Sequence, residues 1–160
     1  MSVNVKSVVG RRILEFNSLD DVVGDVEGLV ASDQTRVLGN WPLSQLITHL
    51  AMTVECSMDG FPTPAPWIIR IIGPFLKKGM LSKKMSPGLK LPKNAEAVAF
   101  PDADSPHAAL ERLRAAVARS RSQPMIAPHP AFGKMNHNEW TQLHLRHSEM
   151  HLSFATTGER

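Results

Sequence analysis

Five of the seven histidines fall between His129 and His151, and two of them, in His147-Ser-Glu-Met-His151, stand four residues apart. On a helix that spacing puts two ring nitrogens one turn apart on the same side, the separation that a single divalent ion bridges. Two ligands do not make a site, because a catalytic divalent metal takes about three protein ligands and keeps an open position for water or substrate. The third must come from elsewhere. His49 is the leading candidate outside this stretch, and His144 is the local competitor. The pair is not a zinc-peptidase motif, which needs glutamate directly after the first histidine; Ser148 stands there, and Glu149 projects to the other side of the helix.

With Trp140 set at zero and about 100° per residue, Leu143, His144, His147, His151 and Phe154 all fall within about 60° of it. Gln142, Arg146 and Glu149 point the opposite way, so the histidines occupy the stripe that a helical domain buries. A buried imidazole must be hydrogen-bonded or coordinated, since an unpaired polar group in a core costs about 1–3 kcal/mol. The alternative to a metal is therefore a hydrogen-bonded histidine network inside a non-catalytic domain, structural or ligand-binding. Cys56, about 10 Å along the axis from His49, reads as a small buried hydrophobe rather than a reactive thiol. No GxSxG, glycine-rich phosphate loop or cluster of paired acids is present, which removes the commoner enzyme classes.

Four helical patterns must position these residues. Ser18 caps the first, three residues before Asp21, and Leu19, Val22, Val23, Val26, Leu29 and Val30 recur at helical spacing. Trp41-Pro42 opens the second, which runs to about Met58 with Leu43, Leu46, Ile47, Leu50 and Val54 as its apolar stripe and His49 beside it. Ser105-Pro106 opens the third, with Ala109, Leu110, Leu113, Ala116 and Val117 inward and Arg112, Arg114, Arg119 and Arg121 largely outside that stripe. Asn136 and Glu139 form a capping pair for the fourth, expected to reach about Thr156. No segment alternates with period two long enough to predict a strand. The fold class expected is all-α, an up-down four-helix bundle with a long crossover between its second and third helices.

That crossover, about residues 60–102, holds seven of the twelve prolines and carries Lys77, Lys78, Lys83, Lys84, Lys90 and Lys93, with no acid between Gly60 and Ala95. One or two short helices are expected around Trp67 to Met80. Its basic face either solvates the protein or meets a phosphate, an anionic membrane or an acidic partner.

At 160 residues the chain is one domain, 1–160, and its 42% hydrophobic and 21% charged content excludes disordered and collagen-like classes. A net charge of +3 does not by itself point to nucleic acid. The single cysteine, Cys56, forms no internal disulfide, and the first eighteen residues lack an apolar signal-peptide run, so the expected compartment is the cytoplasm. The most apolar stretch, Trp67 to Leu76, is too short to cross a bilayer, which takes about 20 apolar residues.

Together, Asn40-Trp-Pro-Leu-Ser-Gln-Leu-Ile-Thr-His49-Leu, Asp59-Gly-Phe-Pro, Gly88-Leu-Lys-Leu-Pro92, His129-Pro-Ala-Phe-Gly133, Glu139-Trp140 and His147-Ser-Glu-Met-His151 resemble a bacterial family of unknown function in the DinB/YfiT-like superfamily. The similarity runs from about Arg11 to Phe154. It implies the four-helix bundle just described, with a divalent metal, Zn or Ni, held by His49, His147 and His151. Relatives in that superfamily include metal-dependent transferases that add low-molecular-weight thiols such as bacillithiol or mycothiol to electrophiles, and a maleylpyruvate isomerase. The resemblance therefore implies a small-molecule substrate and a homodimer. This chain departs from the pattern in Pro42, where relatives carry a capping Ser or Thr, and in the extra His144 on the ligand face.

Overall fold

Ser18 accepts the Asp21 N–H while the Asp21 carboxylate accepts the Ser18 N–H, and this capping box starts helix α1 (Leu19–Ala31), which buries Val22, Val26 and Leu29. In the computed structural model, which describes residues 3–62, 65–88 and 105–158, four further α-helices follow: α2 (Leu43–Asp59), α3 (Trp67–Ser82), α4 (Pro106–Ser122) and α5 (His137–Leu152). A two-stranded antiparallel ribbon joins β1 (Arg36–Val37) to β2 (Ala155–Thr156), with Arg36 opposite Thr156 and Val37 opposite Ala155. The protein is mostly helical, as expected, with this ribbon as an addition. Residue spacing does not reveal strands two residues long, because a period of two needs more residues than that to register.

Helix α2 lies at the centre. It packs most extensively against α4 and also against α5, while α1 packs on both α4 and α5. Its buried set, from Leu46 to Ala51 and then Val54, Ser57 and Met58, is broader than the single stripe predicted, because neighbours cover it from more than one side. Pro42 takes the N-cap position rather than the first helical turn. Helix α4 begins as expected, with Ser105 accepting the Ala108 N–H and Pro106 in the first turn. Its arginines reach across to other helices: Arg112 to Glu55 at 2.6 Å, Arg114 to Glu27 at 2.7 Å, Arg119 to Asp59 and Arg121 to Asp20. Such exposed pairs contribute about 0–1 kcal/mol each, so they set register more than stability.

Two expectations need correction. Helix α5 stops at Leu152, short of Thr156. There the N-terminal segment supplies other partners: the Arg12 guanidinium donates to the carbonyls of Leu152 and Ala155, and the Arg12 N–H donates to Ser153 O. These donors satisfy carbonyls at and just beyond the helix end, and the chain turns into β2. Among the described residues the crossover holds one helix of 16 residues, running through Pro74, longer than the short helices expected there. Lys90, Lys93 and the Leu89–Pro92 part of the quoted motif lie outside the described residues.

Candidate metal centre

Helix α5, which bears His144, His147 and His151, starts with a capping box between Asn136 and Glu139. Its packing against α2 brings His49 up to the same face. His49 Nε2 lies 3.1 Å from His147 Nε2, and one ligand nitrogen from each of His49, His147 and His151 lies within 4.8 Å of the others. Ring centroids are 4.9 Å apart for His49 and His147, 4.8 Å for His49 and His151, and 4.5 Å for His147 and His151, each pair edge to face. Trp41 walls the group, stacked on His151 at 5.3 Å and edge-on to His49 at 5.7 Å.

His49 and His151 are buried and His147 keeps some exposure. Burial pushes the His147 imidazole well below its ordinary pKa, and neighbouring His151 and His49 push it further in the same direction. Burial does the same to His151, helped by His49. Both rings are thus neutral at physiological pH, the form in which imidazole ligates a metal. Around a tetrahedral zinc ion at about 2.0–2.1 Å, two ligand nitrogens are separated by about 3.3 Å. The His49–His147 distance is close to that, so the donor set fits: three imidazoles, converging from two helices, that can hold one divalent ion.

His144, the local competitor, is directed elsewhere. It stacks on Trp140 at 5.3 Å, is fully buried, and its Nε2 has no hydrogen-bond partner among the described residues. Desolvation lowers its pKa to about 3. Beyond Trp140 lies His129, in a loop closed by paired backbone hydrogen bonds between His129 and Gly133, the latter at φ +71°. The His129 Nδ1 accepts the N–H groups of Ala131 and Phe132, which leaves the proton on Nε2, and burial lowers its pKa to about 4. His129 and Phe61 help line an open pocket of about 760 Å³ that also involves Trp67, Arg70 and Ile71, and none of the three converging histidines lines it.

Cys56 lies outside the histidine group. Burial, with Glu55 and Asp59 nearby, raises its pKa, so it stays a thiol rather than a nucleophilic thiolate. Glu149 does point away from the imidazoles, as the helical spacing implies, but it does not face solvent. It is buried beneath the N-terminal segment, accepting the Phe16 N–H at 2.9 Å and Arg146 at 2.7 Å. Sequence reasoning also missed Trp41 as a wall of the site. It stands outside the helix it precedes, where no helical angle applies, and only its place in the quoted Asn40-Trp-Pro stretch marked it.

Fold and site together define a mostly helical protein with a three-imidazole group between two helices. The family model described as "Protein of unknown function (DUF1569)" matches residues 9–157, and the chain belongs to that family. No curated protein and no solved structure matches it.

Proposed function

We propose that His49, His147 and His151 bind a divalent metal, zinc or nickel, and that the protein is a metal-dependent transferase that adds a low-molecular-weight thiol, or water, to a small electrophile. The observation that carries this is the convergence of three imidazole nitrogens within 4.8 Å, from helices far apart in the chain. A divalent ion held there would acidify a thiol or water so that a nucleophile is available near neutral pH. Two of the ligands come from consecutive turns of α5 and one from α2, which leaves the remaining coordination positions to exogenous groups. Trp41 covers one side of His49 and His151 with an apolar ring. The arrangement of α1, α2, α4 and α5 supports reading the domain as a DinB-like four-helix bundle with α3 in its crossover.

Elemental analysis of protein purified without a nickel column tests the centre. About one zinc or nickel per chain is expected, together with metal-dependent consumption of an electrophile such as a haloarene or maleyl compound in the presence of a small thiol. A chain free of metal that takes up none on addition would overturn the proposal.

A second reading has one specific observation behind it. The 3.1 Å separation of His49 Nε2 and His147 Nε2 is also that of an N–H···N hydrogen bond, as in a buried imidazole network without a metal. Added zinc that leaves the histidine proton resonances unshifted would favour it.

A further inference from the structure

Helix α3 is oriented inside out. At about 100° per residue, Trp67, Ile71, Phe75, Ile68, Ile72 and Leu76 fill a sector of about 180° on one side. They are exposed, Trp67 at 71% and Phe75 at 84% of their full accessible surface. The other side faces the protein. There Gly73, the one buried residue of the helix, lies so close to the loop at Ala131 that a Cβ would collide with the Ala131 carbonyl. One turn on, the Lys77 ammonium pairs with Glu139 at 2.7 Å and donates to Lys134 O at 3.2 Å. Leu81 packs into the core cluster around Trp140 and Met58. Gly73, Lys77 and Leu81 therefore pin the helix with its broad apolar sector outward. An apolar face of this extent on a soluble domain marks a surface with a partner.

Charge decides which partner fits. Residues 65–88 contain Arg70, Lys77, Lys78, Lys83 and Lys84 and no acid. Lys77 is neutralised by Glu139, and Arg70, Lys78, Lys83 and Lys84 are exposed with no ion pair among the described residues. Two copies joined through this face would set two such cationic groups against each other. An anionic surface neutralises them. No helix of the described residues is long and apolar enough to cross a membrane, so α3 would lie along a bilayer rather than span it, its apolar residues about 5–10 Å deep at the headgroup boundary.

We propose that the outward face of α3 docks on an anionic lipid bilayer, with the Trp67–Leu76 apolar sector in the interface and Lys78, on the same side of the helix and exposed, among the headgroups. The test is co-sedimentation of the full chain with vesicles of equimolar phosphatidylcholine and phosphatidylglycerol, against phosphatidylcholine alone. Binding to the first and not the second is expected, with a blue shift of tryptophan emission that the Trp67→Phe variant loses. The Ile72→Glu/Phe75→Glu double variant, changed only at exposed positions, should abolish binding while its melting temperature stays within a degree or two of the parent, taken as roughly the effect of a neutral surface change. Lys78→Glu should weaken partitioning by about tenfold. Absence of binding to anionic vesicles at low salt would overturn the proposal. So would binding unchanged in the Ile72→Glu/Phe75→Glu variant, or a solution dimer that the same variant turns into a monomer, which would assign the face to a second copy.

Discussion

His49 Nε2 and His147 Nε2 meet at 3.1 Å although 98 residues separate them in the chain. Two imidazoles cannot hold bare lone pairs toward each other at that distance, so a proton or a cation must lie between them. His151, within reach of both, favours the cation. Zinc or nickel added in excess should therefore raise the melting temperature, by an amount set by the ratio of free metal to its dissociation constant; at a hundredfold ratio the gain is about 2.7 kcal/mol, or roughly 5–10 °C. The His49→Ala, His147→Ala and His151→Ala variants should each lose the response in differential scanning calorimetry. A variant retaining the full shift would remove that residue from the ligand set.

His144 offers a contrast on the same helix. Because its buried Nε2 has no partner among the described residues, replacing it with phenylalanine removes a desolvated nitrogen while keeping a ring on Trp140. Stability of His144→Phe should be unchanged or raised by about 1 kcal/mol, with metal content intact. Loss of the metal in that variant would place His144 among the ligands after all.

Stability should depend on pH with a definite sign. The folded-state pKa values of His129, near 4, and His144, near 3, lie below the ordinary 6.5, and those of His147 and His151 are lowered too. Below pH 6.5 the unfolded chain binds protons that the folded one refuses, so stability present above 6.5 is lost as pH falls. For His129 alone the loss between pH 6.5 and 4 is about 3 kcal/mol, and the others act in the same direction. Urea titrations of metal-free protein should give a plateau above pH 7 and a steep decline below 6.5. A flat profile from 7 to 5 would contradict the burial of these rings.

Trp41 should matter to the metal and little to the fold. Truncation in Trp41→Ala removes the ring stacked on His151 and opens the site to water. Competition with a chromophoric chelator should show about tenfold weaker metal binding, the scale found for residues that support ligands. An unchanged affinity would mean that Trp41 only packs.

Gly73→Ala tests how α3 is held. Its new methyl would meet the Ala131 carbonyl, and relief requires the helix to lift from the 128–133 loop, at a cost of about 1–3 kcal/mol. Limited proteolysis should then cut within residues 67–82 faster than in the parent. Equal rates would mean that the helix is held mainly by Lys77 and Leu81.

Much of this protein could be read from the chain. Caps at Ser18, Ser105 and Asn136 set the starts of three helices because side-chain acceptors act on N–H groups within three residues. The inner stripes of α1 and α4, and the shared face of His147 and His151, follow from helical periodicity, which is local as well. The ends of elements were less legible. Helix α5 stops at Leu152 because Arg12, far away in sequence, caps its carbonyls, and Glu149 is buried because Phe16 crosses above it.

What the sequence determined by itself was a set of amphipathic helices and the side of each on which its histidines sit, since backbone hydrogen bonding and hydrophobic patterning act within a few residues. The tertiary structure alone decided that His49 rather than His144 joins His147 and His151, and that α3 turns its apolar side outward. Those choices depend on which surfaces meet when α2 packs on α5 and Gly73 seats against Ala131, and such contacts between distant segments leave no period in the chain.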